Sequence, residues 1–468
     1  MTYEMLINGK LVSGDRTLDV IDPATGDVFE TCACASRGDV DAAVEAAAGA
    51  FPAWSATSVE DRQAVLIKMA EVVEANLEDL ARTLTSEQGK PLADARAEVG
   101  GAAYFLRYWA GCSLPVEVIE DSELRRVELH RKPLGVVAAI VPWNFPLLTA
   151  VNKIGAALVT GNTVVAKPAA TTPLTTLQFG ALIADIAPPG VVNIVTDQND
   201  LGEALTMHPL VRKITFTGST TTGMKVMASG ASTLKRMTLE LGGNDSGIVL
   251  DDCDPDIVSQ QLFDSAFMNN GQVCVALKRL YVHDSQYEAI CANLAEIAKA
   301  AVVGPGLQQG TQLGPVQNKA QYEKIKALIE ETRSDGTIIA GGDSPDGAGY
   351  FINPTIVRDI PDDARLVTEE QFGPVLPVMR YSDIDDVIAR ANDTSFGLGN
   401  SVWSSSDAKA GAVAARLDSG SVWINKHGDV GPDTPFAGAK MSGVGVEMSE
   451  HGLIEFTQAK VINFAKAA

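Results

Sequence analysis

The sequence predicts an α/β protein built around a doubly wound parallel sheet. Three observations carry that expectation. Short runs rich in Val and Ile recur through the middle of the chain: VVAAIV (136–141), TVVAKP (163–168), VVNIV (191–195), KITFTG (213–218) and SGIVL (246–250). Near-continuous apolar runs of this kind suit strands buried on both faces. Helix-like segments separate them, which is the alternation of βαβ units. Finally, 468 residues are too many for one simple core; at about 150 residues per domain the chain has room for two to four.

The elements follow in order. MLING and IDPATGDVF near the start read as short strands, broken by Asp-Pro and Thr-Gly turns. From Asp39 to Ser86 the pattern becomes helical, with Leu66, Met69, Val73, Leu77 and Leu80 at helical spacing. Ser58 with Asp61 resembles a capping box, and Gly89 and Pro91 are stop signals. The parallel strands begin after Arg131. A second α/β segment starts near Asp256 and contains the strand RLYVH (279–283). The end of the chain, HGLIEFTQAKVINFA, alternates polar and apolar residues as an added strand would. No internal repeat, low-complexity tract or linker interrupts the sequence.

Composition narrows the partners. A net charge of −22 argues against a nucleic-acid phosphate backbone or an anionic membrane as the main partner. No run of 18 uncharged apolar residues predicts a membrane span. MTYEMLINGKLVSGD lacks the basic and apolar regions of a secretory signal. Six cysteines are too few for a disulfide framework, so a reducing, cytoplasmic location is expected. Cys32 and Cys34 form a C-x-C, but no second Cys or His pair lies nearby, and no metal is expected.

Five stretches bear on chemistry. NNGQVCVALKRL (269–280) places Cys274 between two valines. It is open to two readings, a small buried hydrophobe or a nucleophile. PWNFP (142–146) follows an apolar strand, where ligand sites of parallel sheets form, and Asn144 offers an amide donor, although a turn asparagine between prolines is equally ordinary. KPAATTP (167–173) puts Lys167 at the next strand end, either for a phosphate or ribose hydroxyl or as a solvated lysine. FTGSTTTG (216–223) has Gly218 and Gly223 around a helix start suited to pyrophosphate, but it does not fit G-x-G-x-x-G. LELGG (239–243) sets Glu240 in an apolar strand, where burial raises a carboxylate pKa toward that of a general base; a Glu paired with a basic neighbour is the alternative.

Taken in this order, these stretches resemble the NAD(P)-dependent aldehyde dehydrogenases. The resemblance runs from LINGKLV through EQGKPLADARAEV, PWNFP, KPA, FTGST, ELGG and GQVC to EEQFGPVLPV, the NDTSFGL loop and PFAGAKMSGVG. It implies a Rossmann-type cofactor domain over 1–118 and 136–242, and an α/β catalytic domain over 243–441. It also implies a small β oligomerisation element over 119–135 and 442–468, whose RRVELHRKPLG segment suits a hairpin. The chain is expected to act as a homodimer or homotetramer. By the same resemblance Cys274 is the nucleophile and Asn144 the oxyanion donor. Glu240 activates the water that hydrolyses a thioester, and Lys153 and Glu447 form a proton relay. Lys167 is the ribose lysine, with Pro142, Trp143, Ala170, Gly218, Ser219, Gly223 and Leu241 around the cofactor. Glu370 grips the nicotinamide ribose beside Phe372. The substrate tunnel is expected to be lined by Gly101, Phe145, Leu148, Thr149, Asn152, Val273, Val275 and Phe436.

Five positions depart from the family pattern. Ala170 stands where NAD-preferring members commonly carry Glu, which makes NADP plausible. Asp197 replaces the usual glycine near the adenine half and favours NAD, so the two clues oppose each other. Val446 replaces Arg in SGVGVE, and Ala437 replaces Gly in PFAG. Asn152 stands where relatives acting on small aliphatic aldehydes often carry Trp; with Gly101 and Thr149 it suggests a wider, partly polar funnel. The leading expectation is oxidation of a medium-sized aliphatic, aromatic or semialdehyde substrate to its acid. A CoA-acylating relative generally lacks the Glu240 equivalent, and a non-catalytic binding protein would have no use for the retained set.

Overall fold

Alternating short strands and turns open the chain. The computed structural model describes residues 3–345 and 347–466. Met1, Thr2, Asp346, Ala467 and Ala468, which fall within the expected domain ranges, lie outside the described residues. β1 (Met5–Ile7) and β2 (Lys10–Val12) form one hairpin, β3 (Arg16–Ile21) and β4 (Val28–Cys34) another. Cys32 and Cys34 are buried on β4, and all six cysteines are free.

The helical stretch is not one run. It divides into α1 (Arg37–Ser55), α2 (Val59–Ala75) and α3 (Leu77–Gln88), followed by α4 (Leu92–Ala110). Ser58 caps α2, its Oγ accepting from the Asp61 N–H at 3.1 Å. Between α2 and α3 the Asn76 side chain folds back to donate to the Val72 carbonyl at 2.8 Å. The apolar periodicity continues across that break, with Leu66, Met69, Val73 and Leu80 all buried. α3 ends at Gly89, whose φ of +95° is the left-handed cap that glycine adopts without strain.

β5 (Glu117–Asp121) and β6 (Arg125–Pro133) form the expected hairpin. The parallel sheet then builds as β7 (Val136–Ile140), α5 (Pro146–Val159), β8 (Thr163–Lys167), α6 (Leu174–Ile183), β9 (Val192–Ile194), α7 (Gly202–Thr206), β10 (Val211–Thr217), α8 (Thr220–Gly230) and β11 (Arg236–Glu240). A second sheet follows from β12 (Ser246–Val249), α9 (Pro255–Phe267), β13 (Arg279–His283), α10 (Tyr287–Ala300), α11 (Lys319–Asp335), β14 (Thr337–Ala340), β15 (Thr355–Arg358), α12 (Arg365–Thr368) and β16 (Val375–Tyr381). The chain continues through α13 (Ile384–Asn392), β17 (Phe396–Gly397), β18 (Gly399–Trp403), α14 (Asp407–Ala414) and β19 (Ser421–Ile424). It closes with β20 (Ala439–Lys440), β21 (Gly443–Val444), α15 (Ser449–Ile454) and β22 (Thr457–Ala465).

The first sheet has the order β2-β1-β9-β8-β7-β10-β11-β21, and the second β14-β15-β16-β13-β12-β18-β19. In the first, the strand order reverses between β7 and β10, which opens a crevice at their carboxyl ends. β7 and β8 are buried along their whole length, as their apolar runs require. β22 pairs with β6 along its whole length, so the C-terminal tail joins the hairpin as its third strand. Gly443 and Val444 fall within the range expected for that element but instead pair antiparallel with β11. Among the described residues, no helix is long and apolar enough to cross a membrane.

One buried ion pair fixes the turn after β7. Lys90 Nζ donates to Glu98 Oε2 at 2.6 Å and to the Asn144 carbonyl at 2.9 Å, and both charged side chains are 1% exposed. The other Glu98 oxygen accepts from the Leu147 and Leu148 N–H groups in the first turn of α5, where a negative charge also meets the helix dipole favourably. The Lys90 ammonium lies 3.9 Å from the Phe145 ring centre. Removing one partner leaves the other charge buried and alone. Lys90→Met should therefore destabilise the protein by about 3–5 kcal/mol, read as a lower urea midpoint. Adding Glu98→Gln should recover part of that loss.

Candidate active site

The loop bearing Cys274 begins with a sharp coil. Asn269, Asn270 and Gly271 take successive left-handed conformations, with φ of 49°, 58° and 73°. Gly271 has a second reason to be glycine, because a Cβ there would lie 2.3 Å from the Gly373 carbonyl. The coil turns the chain from α9 toward β13 and projects Gln272–Leu277 into the crevice. Cys274 is half-buried against a small apolar cluster that includes Val273, Val275, Ala276 and Phe436, with Phe145 packed on it. Burial pushes its thiol up to about 12, Lys278 opposes that, and Asp245, Glu370 and Glu240 add to it. The resting group is therefore a thiol at neutral pH, and attack by it requires help in losing the proton.

Asn144 lies across from this loop. Its Nδ2 donates to the Gln272 carbonyl at 3.0 Å, while its own carbonyl accepts from Asn269 Nδ2 at 3.1 Å. An amide carries two N–H donors, so one remains for an oxyanion. Glu240 ends β11, held in register by Thr217 of β10 on one side and Gly443 of β21 on the other. It is 3% exposed, and neither carboxylate oxygen has a hydrogen-bond partner in the protein. Burial and the neighbouring Glu447 raise its pKa well above the usual carboxylate range, and Lys153 partly offsets them. Lys153 and Glu447, 294 residues apart in sequence, meet in a short ion-paired hydrogen bond. Thr215 Oγ1 accepts from Lys153 at 3.0 Å and donates to Glu447 at 3.0 Å. The residues expected to form a relay are thus in contact.

The expected polar funnel wall at Asn152 is corrected by the packing. Asn152 is 4% exposed; its Oδ1 accepts from Trp109 Nε1 at 3.1 Å and its Nδ2 donates to Glu447 at 3.2 Å. Its amide is spent stabilising the Glu447 carboxylate inside the core. Gly101 touches Leu148, since a Cβ built on it would lie 3.6 Å from Leu148 Cδ1, and Leu148 and Thr149 are half-buried on the first turns of α5. Val273, Val275 and Phe436 are buried beside Cys274.

The crevice between β7 and β10 carries groups suited to a dinucleotide. Ser219 caps α8, its Oγ accepting from the Thr222 N–H at 3.3 Å, and an N-terminus of that kind favours pyrophosphate. Gly223 leaves room for Leu241, whose Cδ2 would lie 2.4 Å from an added Cβ. Gly218 similarly gives way to the Phe216 ring. Pro142 and Trp143 follow β7, and Trp143 meets Phe372 edge-to-face at 5.2 Å. Glu370 Oε1 accepts from the Gly243 N–H at 3.0 Å, and Gly242 must lack a side chain, because a Cβ would sit 2.3 Å from Glu370 Oε2. Burial raises the Glu370 pKa. At the ends of β8 and β9, Lys167 Nζ donates to Asp197 Oδ1 at 2.6 Å, and the Leu201 N–H donates to Asp197 Oδ2 at 3.0 Å. Ala170, half-buried nearby, offers no carboxylate.

Sequence reasoning missed Lys90, Glu98, Thr215, Lys278 and His427. Lys90 and Glu98 lie inside EQGKPLADARAEV, a stretch that carried the resemblance without a role. Lys278 lies inside NNGQVCVALKRL, yet a lone lysine ordinarily reads as a solvated charge. Among the described residues, no three His, Cys, Asp or Glu side chains gather as a metal site.

The chain matches known proteins over nearly its whole length. A family model described as the aldehyde dehydrogenase family matches residues 11–462. Phenylacetaldehyde dehydrogenase of Pseudomonas fluorescens is 41% identical, over 99% of this chain and 96% of its own. The NAD+ complex of aldehyde dehydrogenase from Bacillus cereus matches with a TM-score of 0.97 at 36% identity, over 99% of this chain and 97% of that one. An E. coli NADP-dependent enzyme matches with a TM-score of 0.96 at 36% identity, over 99% and 98%.

The electrostatics around Glu240 give a direct test. Glu447 disfavours the Glu240 carboxylate by like charge, and it also pairs with the lysine that would favour it. Glu447→Gln removes the repulsion and frees Lys153, and both changes act in the same direction. The pH at which Glu240 ionises should fall, seen as an earlier loss of its protonated carboxyl band in infrared difference spectra as pH rises.

Proposed function

The chain belongs to the aldehyde dehydrogenase family, NAD(P)-dependent oxidoreductases that act on aldehydes, and on that premise we propose that it oxidises an aldehyde with an uncharged aliphatic or aromatic tail to the carboxylic acid through a thioester on Cys274. The single observation that carries this reading is the buried carboxylate of Glu240 without a protein partner. An unpaired buried acid costs stability. A group poised to take a proton from water beside the nucleophile gives that cost a use.

The proposed steps give each residue one role. Cys274 Sγ, once deprotonated, bonds to the carbonyl carbon, and the carbonyl oxygen becomes an oxyanion. The spare Asn144 N–H and the Cys274 backbone N–H are its donors; one such donor can contribute about 3–4 kcal/mol to the barrier. A nicotinamide held there would supply the acceptor for the hydride that the substrate carbon gives up in becoming the thioester carbon. Glu240 takes a proton from the water that attacks the thioester, and Lys153 and Glu447 pass it onward. The carbon–sulfur bond breaks and Cys274 is released. Ser219 and the α8 N-terminus would hold the pyrophosphate, Glu370 and Phe372 the nicotinamide end, and Lys167 with Asp197 the adenosine end.

The tunnel residues favour an uncharged tail. Phe145, Leu148, Val275 and Phe436 are apolar, Gly101 and Thr149 carry no charge, and the Asn152 amide is turned away. The carboxylate of a semialdehyde would find no cation among them. The similar Pseudomonas enzyme named for phenylacetaldehyde is consistent with a substrate of this kind.

The cofactor preference is proposed to be NAD+. The Lys167 ammonium, a cation that a 2′-phosphate could use, is already paired with Asp197. A 2′-phosphate would compete with that carboxylate and be repelled by it, whereas ribose hydroxyls could donate to it. Asp197 thereby offers the acceptor that Ala170 lacks.

Two measurements test these proposals. Glu240→Gln should lower steady-state turnover by roughly 10²–10⁴-fold while keeping a rapid burst of reduced cofactor, as thioester accumulates. Cys274→Ala should give neither burst nor turnover. A wild-type rate that depends on added CoA would favour the acyl-transfer alternative. Asp197→Gly should raise NADP+ affinity relative to NAD+ by roughly tenfold or more, read by quenching of protein fluorescence. An unchanged affinity ratio would refute the assignment of Asp197.

A further inference from the structure

The loop that presents Cys274 makes few backbone ladder bonds, and its carbonyls are held by side chains. The Gln272 carbonyl accepts from Asn144 Nδ2 at 3.0 Å and from Asn269 Nδ2 at 3.4 Å. The Val275 carbonyl is 2.8 Å from His427 Nε2. The remaining three, of Val273, Cys274 and Ala276, all accept from Lys278 Nζ, at 2.9, 2.5 and 3.5 Å. An ammonium has three N–H donors, so Lys278 spends all of them on the nucleophile loop.

The surroundings give its charge a counter-ion only at the outer limit of an ion pair, Glu370. Lys278 is 2% exposed, and Glu370 Oε1, at 3.9 Å, is beyond hydrogen-bond distance. Asp245 also faces this space; burial pushes its carboxyl up to about 7, and Lys278 works against that. His427, 3.9 Å from Asp245, is held down to about 3 by burial and is neutral. The hydrogen bond to Val275 then makes Nε2 its N–H, and Nδ1 accepts from Ser401 Oγ at 2.9 Å. Of the charged groups acting most strongly on Cys274, the carboxyls of Asp245, Glu370 and Glu240 oppose its thiolate, and Lys278 favours it.

We propose that Lys278 is a positioning residue for Cys274, clamping the nucleophile loop through its carbonyls and placing a buried positive charge against the nucleophile. The proposal rests on the reading of Cys274 as nucleophile. His427 holds the same loop without contributing charge, so the two residues separate tethering from electrostatics.

The test is the pH dependence of Cys274 carboxamidomethylation by iodoacetamide, followed by mass spectrometry of the Cys274 peptide in full-length protein. Lys278→Met should move the alkylation midpoint to higher pH and slow the reaction near pH 8 by roughly tenfold or more, the factor that one pKa unit represents. Lys278→Arg, which keeps the charge, should restore most of the rate. His427→Gln should leave the midpoint in place. Where Lys278→Met yields no folded protein, Lys278→Gln retains a donor and removes the charge. A wild-type midpoint in the uncharged variant, or an equal shift in His427→Gln, would overturn the proposal. The parent reading is scored separately: complete alkylation of wild-type Cys274 must stop formation of reduced cofactor, and surviving turnover would refute the nucleophile assignment whatever the Lys278 profile.

Discussion

The site depends on one constraint: a buried backbone carbonyl must have a donor. Loss of that donor costs about 1–3 kcal/mol per group, and the region around Asn144 contains many such groups. The Asn144 carbonyl accepts from Lys90 and Asn269, and its amide donates to Gln272. The end of β7 and the nucleophile loop are thus tied in both directions. Lys90 is in turn neutralised by Glu98, whose other oxygen caps α5. The distance between an oxyanion donor and a nucleophile some 130 residues away in sequence is therefore set by a connected polar network, with no loop free to drift. Such networks are strong only when every member is satisfied.

Glu240 stands outside this economy, as Asp245 does, with neither of its carboxyl oxygens partnered. Nearly all the buried charges near it have partners: Lys153 with Glu447, Lys167 with Asp197, Lys90 with Glu98. Glu240 has none, and its neighbour Glu447 makes ionisation harder. Burial and Glu447 hold a carboxyl in that setting well above the usual carboxylate range, the direction that suits a group taking a proton from water. The edge strand β21 fixes it there, because the Leu241 N–H donates to the Ser442 carbonyl at 2.9 Å and Gly443 lies opposite Glu240. The C-terminal SGVG segment therefore acts on the chemistry through sheet register, and Val446 in place of Arg leaves that register intact.

What could be read from the sequence follows from how local each signal is. β7, β8, β10, β12 and β13 were legible because strands buried on both faces need uninterrupted apolar runs. The break at Asn76 was not, since Val73, Leu77 and Leu80 keep the same period on either side of it. β21 has two residues and no pattern of its own; it forms because β11 has a free edge. Cys274, Asn144 and Glu240 stood out through short motifs in a fixed order. Lys278 and Lys90 did not, because a lysine's burial is decided by the donors and acceptors that tertiary packing brings to it. Asn152 misled for the same reason: its position faces the tunnel by analogy, but Trp109 and Glu447 claim its amide.

The same logic makes sense of the two departures on the cofactor side. Ala170 removes a carboxylate, and Asp197 supplies one, at the ends of adjacent parallel strands whose spacing is about 4.8 Å. Taken singly, one change points to NADP and the other to NAD. Taken with the Lys167 hydrogen bond, they leave the lysine with its negative partner in the turn after β9 and with an uncharged Ala170 in the turn after β8. A cofactor preference inferred from one position alone would miss this, because the quantity that discriminates a phosphate from a hydroxyl is the net field at the ribose, to which every buried charge at that edge contributes.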